Sequence, residues 1–157
     1  MISVGSTVPT APITSIHKGS QESTTSTALF EGKKVVLFAL PGAFTPTCSK
    51  SHLPAYVTLH DELINKGVDI VACLSVNDSF VMSAWAQDQN AENITMLADG
   101  GAAFTKALGL EMETNDFGGL RSQRYAMIIN NNKVTHLNIE KPKEFEASKA
   151  ETILKLL

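Results

Sequence analysis

Cysteine is scarce in this chain: two thiols, Cys48 and Cys73, among 157 residues. So low a number excludes a small secreted scaffold stapled by disulfides. The two cysteines do not form a C-x-x-C pair, so the dithiol motif of a thioredoxin-type oxidoreductase is absent. With only four scattered histidines they also offer no ligand spacing suited to zinc. An excess of positive charge is lacking too. Lys plus Arg number 13 against 16 Asp plus Glu, a net charge of −3 with no basic cluster, which argues against a nucleic-acid partner. No apolar run approaches the ~18 residues needed to span a bilayer, so no membrane role is expected. The opening residues Met1-Ile2-Ser3-Val4-Gly5 carry neither a basic nor an apolar targeting region. A reducing, cytoplasmic setting is therefore expected, although a mature organellar chain would carry the same signature.

What is present describes a globular chain. Hydrophobic residues make up 43% and charged residues 18%. The length predicts one domain over residues 1–157, able to bury roughly 70% of the surface of the unfolded chain without a staple. Residues 1–33, rich in Ser, Thr, Pro and Gly, predict loops and short strands. The continuous apolar run Lys34–Leu40 predicts a strand buried on both faces. A helix follows from about Pro46 to Lys66, kinked by Pro54 and stopped by Gly67. Val68–Val76 reads as a second buried strand, Asn77 or Asp78 as the cap of a helix to about Gln89, and Ile94–Ala98 as a short strand. A further helix opens at Asp99 or Gly100 and ends near Gly109. Arg121–Ile129 and Lys133–Ile139 form a hairpin about Asn130-Asn131-Asn132. Ser148-x-x-Glu151 reads as a capping box before a last helix, Ala150–Leu157. Strands alternating with helices imply an α/β fold: a central mixed β-sheet with helices on both faces.

The chemistry concentrates where the first buried strand meets the first long helix. Pro46 suits the first helical position, which places Cys48 in the first turn. Free backbone N–H groups and the positive end of the helix dipole favour a thiolate there. Thr45 is close enough in sequence to turn its hydroxyl into the same pocket, and Pro41 and Phe44 can wall that pocket against water. Position alone leaves open a second reading, a small inert cysteine packed at a helix start.

The stretch Pro41-x-x-x-Thr45-x-x-Cys48 is similar to the peroxiredoxin active-site motif. The longer run Pro41–Ser49 with His52-Leu53-Pro54 resembles the type II, or peroxiredoxin-five, subfamily. The likeness continues in Val76-Asn77-Asp78-x-Phe80-Val81, in Trp85, in Ala98-Asp99-Gly100 and in Gly119-Leu120-Arg121-Ser122-x-Arg124-Tyr125-Ala126. The resemblance implies a thioredoxin-like fold and a thiol peroxidase acting on hydrogen peroxide and organic hydroperoxides, with no metal or organic cofactor. It implies Cys48 as the peroxidatic cysteine, Thr45 as the hydroxyl that bonds thiolate and peroxide, Arg124 as a remote arginine brought to the pocket, and Pro41 as the shield of the cysteine. It also suggests a homodimer, with Phe44, Phe80, Trp85 and Phe117 as candidates for a dimer face; for each of these, core packing is the alternative.

Three residues need separate weighing. Arg121 competes with Arg124, but an odd separation puts them on opposite faces of a regular strand, and the family pattern favours Arg124. Cys73 lies inside a buried strand, where a native bond to Cys48 is not expected and a core role is. Some relatives place a resolving cysteine near the C-terminus, and Glu144–Ser148 has none. An external thiol is therefore expected to recycle Cys48, with glutathione and glutaredoxin favoured and thioredoxin second. His52, four residues after Cys48, reads either as an imidazolium favouring the thiolate or as a packed histidine. The rival to an enzyme is a non-catalytic redox sensor or holdase that uses Cys48 as a switch.

Overall fold

A computed structural model describes all 157 residues. The strands are β1 (Pro12–His17), β2 (Ser20–Thr25), β3 (Lys34–Ala39), β4 (Ile70–Ser75), β5 (Thr95–Ala98), β6 (Glu111–Glu113), β7 (Leu120–Ser122), β8 (Tyr125–Asn130) and β9 (Lys133–Ile139). The helices are α1 (Ser26–Phe30), α2 (Leu53–Asn65), α3 (Ser79–Asp88), α4 (Ala103–Leu108) and α5 (Ala150–Leu154). Seven strands form one mixed sheet in the order β2-β1-β5-β4-β3-β8-β9. Its centre is the parallel trio β3, β4 and β5, flanked by antiparallel β8 and β1.

Strand β3 shows why this sheet is covered twice. Val36, Phe38 and Leu40 enter one core with Leu53, Tyr56, Trp85 and Ile153, from α2, α3 and α5. Val35, Leu37 and Ala39 enter a second core with Phe30 and Phe104, from α1 and α4. A run with no polar alternation can only be satisfied in this way, and the α/β fold with helices on both faces is the one expected.

Several local expectations hold. Asp78 caps α3, accepting from the Val81 N–H, and Gly109 ends α4 in a left-handed conformation (φ 73°). Asn131 and Asn132 take φ of 46° and 65°, the two positive values a tight primed hairpin turn requires. Others need correction. The early polar segment contains a helix as well as strands: α1, capped by Thr25, was not legible among its Ser and Thr residues. The stretch expected as one strand from Arg121 splits, because β7 pairs with β6 in a separate small sheet while β8 joins the main one. The capping box is not formed. Lys149 occupies the cap position of α5 without a side-chain bond, and the Ser148 hydroxyl donates to Glu140 instead.

Candidate active site

The loop after β3 and the start of the following helix build the site. Helical backbone begins at Pro46, as expected, but Cys48–His52 form a π turn in which the Leu53 N–H reaches back to the Cys48 carbonyl. Pro54 explains the slip. It has no N–H to offer the carbonyl four residues back, so the expected kink is taken up as a widened turn upstream. The π turn turns Cys48 and His52 into the core, where they are 1% and 0% exposed. Trp85, buried in α3, pins the turn by donating from Nε1 to the Ser49 Oγ at 3.0 Å.

Arg124 reaches this turn from just before β8. Its Nη2 donates to the Cys48 sulfur at 3.1 Å, and its Nη1 donates to His52 Nδ1 at 2.8 Å. The guanidinium fork thus spans sulfur and imidazole together. His52 Nε2 donates to the Ser148 carbonyl at 3.2 Å, the oxygen that also accepts from the Tyr56 hydroxyl at 2.7 Å. Ser148 is in turn held by Glu140, which accepts from its N–H and hydroxyl and from the N–H groups of Glu146 and Ala147. Burial pushes the Glu140 carboxyl up, but these donors, led by Ser148, outweigh it and hold it below the ordinary carboxylate range. A line of bonds therefore runs from the Glu140–Ser148 loop through His52 and Arg124 to the sulfur.

His52 is a neutral acceptor here. Burial, with the Arg124 charge beside it, lowers its pKa to about 3. Of the two readings of this histidine, the packed and bonded one is what the fold builds. A stability prediction follows. The unfolded chain protonates this group near 6.5 and the folded protein only near 3, so between those values the unfolded state holds more protons and stability falls as pH drops. The urea midpoint of the wild type should fall between pH 6.5 and 4.5 by more than that of His52→Asn, whose remaining carboxylates titrate equally. Equal losses in the two proteins would assign the effect elsewhere.

Thr45 and Pro41 stand in the loop between β3 and Cys48. The Thr45 hydroxyl donates to the Gly42 carbonyl at 2.7 Å rather than to sulfur, which leaves its oxygen lone pairs free to accept. Phe44 takes a left-handed φ of 63°, a state that costs a bulky residue about 1–3 kcal/mol and needs its surroundings to hold it. Pro41, Thr47 and Arg124 line a cleft of about 480 Å³ with Glu111, Lys141 and Lys143.

Arg121 lies on β7, a different strand from the one Arg124 precedes, so the alternation argument did not apply to the pair. It is half-buried, not a surface charge: Nη1 donates to the Val76 carbonyl at 2.8 Å and Nε to Gly118 at 3.0 Å. Trp85 is core, whereas Phe44, Phe80 and Phe117 are 53%, 79% and 71% exposed. The residues that sequence reasoning missed are Glu140 and Ser148. Only the failed capping box marked Ser148, and no local signal pairs it with Glu140.

Cys73 sits in mid-sheet, opposite Phe38 and Met96, fully buried. Burial, with the Cys48 sulfur nearby, raises its thiol well above the ordinary range. Both cysteines are free. One equivalent of hydrogen peroxide should therefore leave Cys73 fully alkylatable after denaturation, read by peptide mass. Loss of both thiols with no oxygen added would mean a Cys48–Cys73 bond.

A buried thiol at the head of a helix, beyond the end of the central strand β3 of a thioredoxin-like sheet and capped by an arginine, defines the class of thioredoxin-fold thiol peroxidases. The chain belongs to the Redoxin family, whose model matches residues 3–154, and within it to the peroxiredoxins. It is 46% identical to Peroxiredoxin-2D of Arabidopsis thaliana over 159 residues, covering 99% of this chain and 98% of that one. It superposes on the crystal structure of reduced Prx3 from Vibrio vulnificus in complex with H2O2 with a TM-score of 0.96 at 62% identity, covering 99% of both chains. Peroxiredoxin 5 from Alvinella pompejana matches with a TM-score of 0.84 at 34% identity over 99% of this chain and 97% of that one. The protein is a thiol-dependent peroxidase, so the enzyme reading stands over its rival, the non-catalytic sensor or holdase.

Proposed function

We propose that Cys48 is the peroxidatic residue of this peroxidase, with Arg124, Thr45 and Pro41 completing the pocket, and that it acts on hydrogen peroxide and organic hydroperoxides. The observation that carries this is the Arg124 fork, one arm on the Cys48 sulfur and the other on His52. The thiolate attacks one peroxide oxygen, the S–O bond forms as the O–O bond breaks, and the electron pair leaves on the far oxygen. Sulfur is oxidised to sulfenic acid, and the departing oxygen takes a proton to become water or an alcohol. Arg124 stays charged throughout and is aimed at the oxygens before they arrive, so little reorganisation is needed as charge moves. The Thr45 lone pairs accept from the peroxide O–H, and Pro41 keeps bulk water from the sulfur.

An external thiol completes the cycle. It condenses with the sulfenic acid to a mixed disulfide and water, and a second thiol then releases Cys48. The sealed position of Cys73 and the absence of cysteine from residues 144–148 support this route. The cleft beside Arg124, rimmed by Lys141, Lys143 and Glu111, suits a small thiol carrying both signs of charge, so glutathione with glutaredoxin is favoured over thioredoxin. The proposed assembly is a homodimer, with the exposed Phe44, Phe80 and Phe117 as its candidate contact residues. The proposed compartment is the cytoplasm, whose reducing poise suits a working thiol.

The test is rapid mixing of reduced protein with hydrogen peroxide, followed by intact mass. Fast loss of one thiol with one oxygen added is the expected result, and two surviving thiols would sink the assignment. Turnover with thioredoxin alone, and none with glutathione plus glutaredoxin, would reverse the reductant. Sedimentation as a monomer at working concentration would remove the dimer, and a fluorescent fusion confined to another compartment would remove the cytoplasmic assignment.

A further inference from the structure

The loop that carries Thr45 is not held by its own residues alone. The Ala43 N–H donates to Asn77 Oδ1 at 3.0 Å, across from the end of β3 to the loop after β4. The same Oδ1 accepts from the Ser75 hydroxyl at 2.6 Å, and Ser75 is fully buried. Asn77 is therefore fixed from below and presents one acceptor to the active-site loop. Its backbone is fixed as well: Arg121 grips the carbonyl of the preceding residue, Val76, at 2.8 Å. One residue beyond Ala43 stands Phe44 in its left-handed conformation, and after it Thr45, whose hydroxyl is tied to Gly42. The Thr45 N–H also meets the Gly42 carbonyl at 3.4 Å, closing a turn over Gly42–Thr45 with Phe44 in its strained position, and the Asn77 bond to Ala43 ties that turn to the loop after β4. A turn released from that tie is free to relax Phe44 toward negative φ and to rotate the Thr45 peptide away from the sulfur.

The geometry points to Asn77 as a positioning residue for the peroxide reaction: its Oδ1, by holding the Ala43 N–H, keeps Phe44 strained and Thr45 aimed at the substrate oxygens. The inference rests on the proposed roles of Cys48 and Thr45. Both bonds of Asn77 in this network use its oxygen as acceptor, and the amide nitrogen takes no part. An aspartate keeps that acceptor, and an alanine removes it.

The experiment compares two reactions of Cys48 in the same folded protein: oxidation by hydrogen peroxide in stopped flow, and alkylation by iodoacetamide. Both need the thiolate, so a change in its population cancels in the ratio of rate constants. Only the peroxide reaction needs Thr45 in place. In Asn77→Ala the peroxide-to-alkylation ratio should fall by about tenfold or more, since a displacement near 1 Å can cost up to ~100-fold in rate. In Asn77→Asp the ratio should stay within about threefold of the wild type. A purely structural role would loosen the site toward both reagents and leave the ratio unmoved. An unmoved ratio in Asn77→Ala overturns the inference. If that variant does not fold, a folded Asn77→Asp with a collapsed ratio overturns it instead. Failure of wild-type Cys48 to be oxidised would remove the underlying assignment, which the ratio in the variants alone cannot do.

Discussion

Cys48→Ser should abolish catalytic peroxide consumption, a loss on the order of at least 10⁴-fold of the kind seen when an enzyme loses its nucleophile. The substitution is close to isosteric, so the buried cluster around position 48 should keep its packing, and the wild-type near-ultraviolet spectrum should be retained. What is lost is chemical. A serine hydroxyl is essentially un-ionised near neutral pH and is a poor nucleophile toward an O–O bond, whereas a thiolate is a strong one. The only other thiol cannot take over. Cys73 is fully buried in mid-sheet, and burial holds it in the protonated form. The measurement is steady-state peroxide loss with a recycling thiol system, run beside Cys73→Ser. The Cys73 variant should retain most of its turnover if it folds. Catalytic turnover by Cys48→Ser would show that another group carries the reaction.

How much of this site could be read from the sequence depended on whether the relevant contacts are local. The buried strand Lys34–Leu40 and the helix start at Pro46 followed from a short apolar run and one proline, and both stand where expected. Asp78 was legible as a cap because the acceptor and the N–H it serves lie three residues apart. Cys48 and Arg124 are 76 positions apart and their contact was not derivable; only the family pattern brought them together. The same pattern carried no role for Glu140 or Ser148. Ser148 was misread because a capping box and a clasp to a distant carboxylate start from the same serine, and tertiary partners decide between them. Arg121 failed for a related reason. The alternation argument requires one regular strand, and the chain changes sheets between residues 122 and 125. His52 stayed open because an imidazole four residues from a cysteine says nothing of its burial, and its burial is what keeps it neutral.

Arg124→Ala should fold and still form sulfenic acid, but with a rate constant for hydrogen peroxide about 100- to 1,000-fold lower, the usual cost of removing one fixed donor from developing negative charge. The side chain gives its two donors to different tasks. In the proposed mechanism the arm 3.1 Å from Cys48 stabilises charge on sulfur and then on oxygen as the O–O bond lengthens. The arm on His52 fixes the plane of the fork, because Nδ1 offers one lone pair in one direction. Removing the side chain therefore also leaves a buried acceptor without its donor, an added stability cost of about 1–3 kcal/mol. Arg124→Lys separates the two effects. It keeps a positive charge near the sulfur, but a single ammonium on a flexible stem cannot hold sulfur and imidazole in one plane. Its peroxide rate should fall between those of alanine and wild type. Stopped-flow oxidation of the three proteins, with thermal melts alongside, gives both quantities. If lysine matched arginine, charge alone would suffice and the fork geometry would be irrelevant. If alanine reacted as fast as the wild type, the contact at 3.1 Å would be a packing accident and Arg124 would leave the site. The expected order, arginine above lysine above alanine, requires that the Glu140–Ser148–His52 line aim the guanidinium before peroxide arrives.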